Sequence, residues 1–377
     1  MTEPIFQRPF EWDEYSDQPK IILDKAFKRR MRARHWPDLL KMFATAGVML
    51  PSALVGMGVR SLTNPLRALP TRNPAKFFGM GVSLELGEVQ FDLVAELGVT
   101  EVLVRLPLWN YHDLPSYVRF IEGWRDRGCR VMVNLLQDPG GIGNRARLQQ
   151  QSHELFSAIH GLATRVQVGN AINRAKWGFY SVAEYLDFYE VIQASRDAVA
   201  PGIKLCGPSV IDFEYHHTTR ALFNGRAVEF DQVSALLYVD RCGHPANFQL
   251  GIFNTSRKIR LLHAIASMCP KVRDPRLVIT EVNWPLKGVG PYAPTSELEC
   301  VGEDEYAAFM VAYLRIAWLT GVVDSVYWHQ LIAPGYGLVD NRLDTTGKTK
   351  LRKRVAFQAY QQIVSEISSK FGLSNCA

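Results

Sequence analysis

The amino-acid sequence predicts an α/β fold: a (β/α)8 barrel, or TIM barrel, preceded by an N-terminal extension. From Phe77 onward, short apolar runs alternate with helix-like segments, and eight such pairs fit into about 290 residues, an ordinary size for this barrel. The runs are apolar throughout, as expected of parallel strands covered on both faces. Each run becomes polar at its C-terminal end, where barrels of this kind place their functional residues.

The predicted strands and helices alternate in order along the chain. The strands are residues 77–85, 101–107, 129–138, 166–173, 204–212, 233–240, 277–285 and 324–330. The helices are residues 90–98, 114–127, 147–164, 181–199, a segment carrying His216, His217 and Arg220, and residues 255–268, 303–320 and 348–367. Gly98 is a typical helix stop, and Ser181 with Glu184 forms the sequence of a capping box.

Composition excludes several classes of protein. With 47% hydrophobic and 21% charged residues, the chain has enough apolar material for a large core. The net charge of +6 comes largely from residues 25–41, and no nucleic-acid-binding signature is present, so we expect no nucleic-acid partner. The six cysteines lack metal-ligand spacing, which predicts mostly free thiols, no metal site and no cofactor. A disulfide of Cys242 or Cys300 stays open in an oxidising compartment.

The N-terminal extension, residues 1–76, differs in character from the barrel, residues 77–377. Residues 1–24 have no sustained periodicity and predict an irregular arm, and the basic block 25–41 follows. Residues 42–59 are uncharged and at the short end of what spans a bilayer. One interpretation is a membrane anchor, which would make this an inner-membrane protein whose barrel faces the periplasm. The other is a helix packed on the domain of a cytoplasmic protein. Arg60, Arg67 and Arg72 weaken the charge asymmetry that favours the anchor.

If the barrel forms, the polar residues that end its strands converge at one mouth. They are Ser83, Glu85, Arg105, Asn134, Gln137, Asp138, Asn170, Asn173, Asp212, Tyr238, Asp240, Glu281, Asn283, Trp284, Trp328, His329 and Gln330. Amides and carboxylates pair with hydroxyl groups, and indole faces cover the C–H surfaces of sugars. The sequence therefore predicts a carbohydrate site, to which we expect Asn134, Asp138, Trp284 and His329 to contribute.

Two short motifs resemble clan A, a large clan of retaining glycoside hydrolases built on this barrel. In that clan an Asn-Glu pair ends strand four and a second Glu ends strand seven. Here Gly169-Asn170-Ala171-Ile172-Asn173 matches the first motif except at Ala171, and Thr280-Glu281 matches the second. The resemblance covers residues 77–367 and is greatest to the β-xylosidase/α-iduronidase branch and to relatives found with bacterial surface-polysaccharide genes.

The resemblance implies a role for each matching position. Glu281 would be the nucleophile and Ala171 would occupy the position of the acid/base residue. Asn170, Arg105, Tyr238 and Trp328 would support the nucleophile or the sugar. The implied function is cleavage of a glycosidic bond in a bacterial polysaccharide or glycoconjugate by a retaining double displacement.

The alanine at position 171 removes one half of this mechanism. Retention needs two carboxyl groups about 5–5.5 Å apart, and a methyl group can neither donate nor accept a proton. Either a natural glutamate has been replaced, which the otherwise intact site favours, or alanine is native. We therefore expect severely impaired activity. The alternatives are a catalytically silent glycan-binding barrel in polysaccharide assembly, or a transglycosylase or glycosyltransferase that uses the same Glu281. The sequence does not indicate an oligomeric state.

Overall fold

A computed structural model describes residues 8–63, 73–240, 242–343 and 350–371. The chain begins with a short hairpin, β1 (Trp12–Asp13) and β2 (Gln18–Pro19), followed by helices α1 (Lys25–Arg34), α2 (Trp36–Thr63) and α3 (Pro74–Phe77). The prediction of an irregular arm is therefore wrong for residues 12–19, which form a defined antiparallel pair. Residues 1–7 of that predicted arm, together with Arg67, Arg72 and Cys376, lie outside the described residues.

Eight parallel strands close into a barrel, as the sequence predicts. They are β3 (Phe78–Val82), β4 (Glu101–Pro107), β5 (Arg130–Leu136), β6 (Ala163–Val168), β7 (Lys204–Ile211), β8 (Phe230–Leu236), β9 (Val272–Glu281) and β10 (Val323–Trp328). Strand β10 pairs with both β9 and β3, which closes the ring. The fourth barrel strand ends at Val168, so Asn170 and Ala171 lie in the loop that follows it.

Helices cover the outside of the barrel between the strands. They are α4 (Val89–Leu97), α5 (Leu114–Asp126), α6 (Arg145–Ile159), α7 (Val182–Val199), α8 (Tyr215–Leu222), α9 (Thr255–Met268), α10 (Glu303–Thr320) and α11 (Val355–Phe371). A further hairpin, β11 (Val339–Asp340) and β12 (Arg352–Lys353), precedes α11. The predicted start of the last helix, Lys348, lies outside the described residues.

Local sequence sets the helix ends. Gly98 ends α4 in the left-handed conformation, as the glycine at this position of the sequence predicts. Only half of the predicted capping box forms at α7, where Ser181 Oγ accepts a hydrogen bond from Glu184 N at 3.2 Å. The Glu184 carboxylate instead accepts from Tyr180 N and pairs with Arg8 at 2.6 Å, which ties the N-terminal arm to the barrel.

Helix α2 packs along the outside of the barrel against α8 and α9. Its stretch Trp36–Val59 is long and apolar enough to cross a membrane, with a mean hydropathy of 1.7. One face of the helix, carrying Asp38, Met42, Ala46 and Ala53, is buried. The Asp38 carboxylate pairs with Arg220 of α8 at 2.6 Å and accepts a hydrogen bond from Ala183 N. The structure therefore packs one face of α2 on the barrel.

Candidate functional site

The alternation of side chains along the strands decides which residues face the barrel interior. Leu103, Met132, Cys206, Val278 and Tyr327, each from a different strand, form one interior layer. Residues two positions further along each strand also face inward, nearer the mouth. Arg105, Asn134 and His329 occupy such positions.

Glu281 lies at the end of the seventh barrel strand, with 9% of its surface exposed. The Tyr238 hydroxyl donates a hydrogen bond to Glu281 Oε1 at 2.6 Å. Burial by itself raises the pKa of the Glu281 carboxyl group, but the neighbouring His329 and Arg105 and the polar groups of Tyr238 and Asn170 outweigh burial and hold the pKa below its usual range. Glu281 is therefore a buried and ionised carboxylate at neutral pH.

A network of amides fixes the loop after the fourth strand. Asn170 Oδ1 accepts hydrogen bonds from Asn134 Nδ2 at 3.1 Å and from Gln167 Nε2 at 3.0 Å. Gln137 bonds both backbone groups of Asn170, accepting from its N–H at 2.9 Å and donating to its carbonyl at 3.0 Å. Asn134 therefore contributes to the site by orienting the side chain of Asn170.

Ala171 follows this network in the left-handed conformation, with φ 44°. Its side chain is buried in an apolar cluster with Leu136, Trp177 and Leu236. A non-glycine residue at positive φ is uncommon, and the hydrogen bonds to Asn170 hold the backbone there. The position that the clan A resemblance assigns to the acid/base group is therefore a rigid, apolar part of the mouth.

Arg105 and His329 stand beside Glu281. Arg105 Nη1 lies 3.3 Å from His329 Nε2, and the imidazole stacks on Tyr336 with 5.3 Å between ring centroids. Burial lowers the pKa of His329 to about 4, so the ring is neutral at neutral pH. Nε and Nη2 of Arg105 are buried and have no hydrogen-bond partner among the described residues. Buried donors of this kind are usually satisfied, so these two are available to a ligand.

The N-terminal hairpin covers this mouth and inserts a carboxylate into it. Asp17 Oδ2 accepts hydrogen bonds from Arg105 Nη1 and Gln330 Nε2 and lies 3.7 Å from His329 Nε2. Burial raises the pKa of Asp17 to about 7; Arg105 opposes this shift, while the carboxylates of Glu281 and Glu85 add to it. A carboxyl group with a high pKa therefore lies close to one with a low pKa.

Aromatic contacts hold the hairpin over the mouth. Trp12 packs on Trp109, with 4.8 Å between ring centroids, and against the edge of Trp177 at 5.8 Å. Tyr15 contacts Tyr292 at 4.9 Å. A cavity of about 440 Å³ remains between the hairpin and the first, second and eighth strands, and Arg105 and Asp17 both line it. This volume is in the usual range of small-ligand sites.

The indoles of Trp328 and Trp284, two predicted sugar contacts, lie outside the mouth. Tyr327 and His329 face inward, so Trp328 between them faces outward. Its Nε1 donates to Tyr306 of α10 at 2.7 Å. Trp284 stacks on Trp328 at 6.0 Å and is fully buried. Both indoles pack under the helix layer.

Asp138 is not brought to Glu281 either. Its carboxylate accepts a hydrogen bond from Gly140 N at 2.9 Å and lies 3.2 Å from Arg147 Nη2. Asp138 therefore stabilises the loop before α6. The structure brings together Arg105, Asn134, Asn170, Ala171, Tyr238, Glu281 and His329 of the predicted site residues.

One group of potential metal ligands lies beside the mouth. Glu214, His216 and His217 place ligand atoms within 4.8 Å of one another. The Glu214 carboxylate, however, already accepts hydrogen bonds from Asn173 Nδ2 at 2.8 Å and Arg174 Nη1 at 2.5 Å. A cation there would face the Arg174 guanidinium, so this group is poorly suited to a metal.

Sequence reasoning missed Asp17, Trp12, Gln167 and Trp177. Gln167 could have been found, because it lies two residues from Arg165 on one strand and shares its inward face. Asp17 and Trp12 lie in a segment without periodicity, and their partners are far away in sequence.

The fold and the polar mouth define a (β/α)8-barrel protein, and solved glycoside hydrolases share this fold. The β-glucosidase from Thermotoga maritima in complex with deoxynojirimycin matches with a TM-score of 0.55 at 10% identity, covering 77% of this chain and 98% of that chain. The family 1 β-glucosidase from Thermotoga maritima matches with a TM-score of 0.55 at 12% identity and the same coverage. The castanospermine complex gives 0.54 at 11% identity, with 77% and 97% covered. No protein-family model and no curated protein sequence matches this chain. At these identities the likeness establishes the fold alone.

Proposed function

We propose that this chain is a carbohydrate-active barrel of the retaining glycoside hydrolase type, with Glu281 as its nucleophile. The observation that carries the proposal is the buried Glu281 carboxylate, held by Tyr238 at 2.6 Å at the end of the seventh strand. Burying the Glu281 charge is costly unless a cation compensates it, and the Arg105 guanidinium is already paired with Asp17. A buried carboxylate of this kind is typical of a functional site. The two unpaired Arg105 donors and the Asn170 amide supply groups for sugar hydroxyls.

The chemistry follows from which carboxyl groups are present. Glu281 attacks the anomeric carbon, the bond to the leaving oxygen breaks, and a glycosyl ester forms on Glu281. In a complete retaining site a second carboxylic acid protonates the leaving oxygen and later deprotonates water. Position 171 carries a methyl group instead, so this chain would react only with substrates whose leaving group departs without a proton.

The substrate class is also part of the proposal. The resemblance to glycosidases associated with bacterial surface polysaccharides favours a bacterial polysaccharide or glycoconjugate. A transglycosylase would use the same Glu281 and differ only in the acceptor, a sugar hydroxyl in place of water.

A second candidate is a barrel that binds a glycan without cleaving it. The observation in its favour is Ala171, fully buried in an apolar cluster with Trp177 and Leu236. In this case the amides and Arg105 would recognise the sugar, and Glu281 would accept hydrogen bonds from its hydroxyls. Sequencing codon 171 of the source gene shows whether alanine or glutamate is the natural residue.

Azide rescue distinguishes the two candidates. The purified chain is incubated with a panel of 2,4-dinitrophenyl glycosides, with and without sodium azide. A glycosidase with an intact nucleophile forms a glycosyl ester, which azide releases as a glycosyl azide of retained configuration. We expect this product with at least one sugar, and its loss in Glu281→Gln.

The control is Glu154→Gln, a carboxylate on α6 that does not line the cavity. It accepts hydrogen bonds from the Tyr111 hydroxyl at 2.7 Å and from Gln150 Nε2 at 3.0 Å. Glycan binding by calorimetry, without formation of a glycosyl azide from any sugar of the panel, would establish the binding barrel and overturn the hydrolase proposal.

A further inference from the structure

The outer face of α2 is apolar and unusually exposed. Six large apolar side chains on it are each more than half exposed: Trp36, Leu40, Phe43, Val48, Val55 and Val59. Residues 42–59 contain no charged residue. Large contiguous apolar patches on a protein surface mark contacts with a partner or a membrane. We call these six residues the outer face of α2.

The inner face of α2 is fastened to the barrel, which restricts how the helix can meet a bilayer. Asp38 is buried and bonded to Arg220 of α8 and to the backbone of α7. A helix that crossed the bilayer would take this ion pair, and the helices it packs on, into the hydrocarbon region, where charges are costly. A helix lying in the membrane plane keeps these contacts and buries only its outer face.

Helix α1 supplies charge next to this apolar face. Its ten residues include six basic and no acidic ones, and all six are exposed: Lys25, Lys28, Arg29, Arg30, Arg32 and Arg34. We propose that α1 and the outer face of α2 dock this protein in the plane of an anionic lipid bilayer. Basic residues beside exposed Trp, Phe and Leu are typical of interfacial helices.

The charge of α1 favours a lipid surface over a second copy of this chain. In a dimer formed through the outer face of α2, the α1 helix and residues 42–59 of the second copy offer no acidic group to these six cations. Anionic lipid headgroups neutralise them instead, and each basic residue near such a surface adds to the attraction.

Vesicle flotation of the full chain tests this inference. We expect the chain to float with phosphatidylcholine vesicles containing phosphatidylglycerol, and to bind pure phosphatidylcholine at least roughly tenfold more weakly. Phe43→Glu with Val55→Glu should abolish flotation. The matched control is Leu319→Glu on α10, which is 53% exposed and distant from α2 in sequence, and should float normally. Arg29→Glu with Arg30→Glu should remove the preference for the anionic lipid.

Four results would overturn the proposal. The first is absence of flotation with either vesicle, and the second is flotation that Phe43→Glu with Val55→Glu does not change. The third is a lipid-free dimer, seen by light scattering, that the same double variant dissociates, because the outer face would then be occupied by a second copy. Retention in natural membranes after alkaline carbonate extraction would show a spanning helix and exclude in-plane docking.

A separate observation concerns the N-terminal hairpin, residues 12–19, which leaves Glu281 almost inaccessible. Glu281 does not line the remaining cavity. The Asp17 carboxylate accepts hydrogen bonds from Arg105 and Gln330 at the mouth, so these donors are already bonded. We infer that the hairpin is an intramolecular occupant of the glycan site, in which the Asp17 carboxylate takes the place of ligand oxygens. This inference rests on the proposed function for the identity of the ligand, but the closure itself does not.

The hairpin is held by side chains rather than by the barrel sheet. Its two strands pair only with each other, over two residues each. Besides Asp17 and the aromatic contacts, Gln18 joins it to the rim, accepting from Lys176 Nζ at 2.7 Å and donating to the Pro294 carbonyl at 3.4 Å. Such a segment can leave the mouth without unfolding a barrel strand.

Hydrogen exchange and active-site labelling test the two parts of this inference separately. In Asp17→Ala, amides of residues 12–19 should exchange at least roughly tenfold faster, because the contacts of Asp17 with Arg105 and Gln330 are lost, while the amides of β9 stay protected. A 2,4-dinitrophenyl 2-deoxy-2-fluoroglycoside, whose leaving group departs without a proton, should form a stable glycosyl ester on Glu281 faster in Asp17→Ala than in the unaltered chain. Lys20→Ala, at the exposed end of the hairpin, is the control for both.

Unchanged exchange of the hairpin in Asp17→Ala would overturn the inference that Asp17 holds the mouth closed. Slower labelling of Glu281 in the variant would overturn it as well, because Asp17 would then assist the chemistry. Faster exchange without any labelling of Glu281 would support the closure and count against the proposed function.

Discussion

Asp17 of the N-terminal hairpin forms a buried ion pair with Arg105 of the second barrel strand, 88 residues further along the chain. The pair lies beside Glu281, so the Arg105 guanidinium interacts electrostatically with two carboxyl groups, those of Asp17 and Glu281. Burial and the Glu281 and Glu85 carboxylates raise the pKa of Asp17, whereas the pKa of Glu281 is lowered. Diverging pKa values of neighbouring carboxyl groups are a common property of catalytic sites.

The raised pKa of Asp17 predicts that the hairpin opens as the pH rises. In the closed state the pKa is about 7, and in an exposed hairpin it returns towards its ordinary value of 3.8. The closed state thus binds the proton more tightly. Closure is strongest below the ordinary pKa and weakens as the pH rises towards 7. Hydrogen exchange of residues 12–19, corrected for the intrinsic pH dependence, should show falling protection across this window.

Asp17→Asn isolates this effect, because the amide keeps an oxygen for Arg105 and Gln330 and does not titrate. Protection of the hairpin in the variant should be nearly flat over the same window. Four other titratable groups face Asp17, and both proteins have them. They are Arg105, Glu281, Glu85 and His329, whose pKa is lowered to about 4. Equal pH dependence in the two proteins would assign the effect to one of those groups.

Ala171→Glu is predicted to create hydrolytic activity. The backbone at position 171 already has a positive φ and is held by the Asn170 network, so glutamate adds little backbone strain beyond that of alanine. Leu136, Trp177 and Leu236 would surround the new carboxyl group and raise its pKa, as an acid catalyst requires. A general acid contributes roughly 10²- to 10⁴-fold, measured as kcat/KM on aryl glycosides with poor leaving groups.

The control for this substitution is Ala171→Gln, which has the same size and cannot transfer a proton. It should remain as inactive as the unaltered chain. Equal rates for the glutamate and glutamine variants would mean that position 171 does not face the leaving group. In that event the clan A alignment of this loop is wrong.

The barrel could be predicted from the sequence because its strands and helices alternate in a regular pattern. The orientation of individual strand residues could not. The last barrel strand, β10, reads Val-Asp-Ser-Val-Tyr-Trp, without regular alternation of polar and apolar residues, so its sequence does not reveal which side chains point inward. The sequence therefore predicts both Trp328 and His329 at the mouth, and of the two only His329 lies there.

Glu281, Asn170 and Arg105 could be identified because each polar residue follows or interrupts an apolar strand. The hairpin gives no such signal. Asp17 contacts Gln330, which is 313 residues away, and nothing in residues 8–20 indicates that partner. Its insertion depends on the complementarity of a folded mouth, which exists only after the barrel has closed.

Tyr238→Phe is predicted to weaken the nucleophile. The Tyr238 hydroxyl donates to Glu281 Oε1, and this bond stabilises the ionised form. Without it the pKa of Glu281 rises, so the rate of glycosyl-ester formation reaches its plateau at a higher pH. Hydrogen bonds to charged groups contribute about 1.5–3 kcal/mol, so at a pH below the pKa of Glu281 in both proteins, where the ionised fraction limits the rate, the variant should release dinitrophenol roughly 10- to 100-fold more slowly.

Tyr313→Phe serves as the comparison, since its buried hydroxyl donates to the Leu237 carbonyl rather than to Glu281. This variant should lose a similar amount of stability but keep the rate and the pH profile. If both variants slow dinitrophenol release equally, the effect of Tyr238 is on stability and not on the carboxylate.

Asp38→Ala is predicted to destabilise the whole barrel, because α2 is fastened to it through a buried ion pair. The substitution leaves Arg220, which is 7% exposed, without its carboxylate and removes an acceptor from Ala183 N. Breaking a buried pair in this way costs about 3–5 kcal/mol of unfolding free energy. Urea unfolding, followed by circular dichroism, should show a lower midpoint with an unchanged slope.

The double variant Asp38→Ala with Arg220→Met separates loss of the pair from loss of packing. Methionine removes the unpaired charge and fills much of the same volume, so the double variant should be more stable than Asp38→Ala alone. A single transition that moves with these substitutions means that α2 and the barrel unfold together. Unchanged stability in Asp38→Ala would mean instead that α2 is not part of the folded barrel, and the in-plane orientation of its outer face would lose its basis.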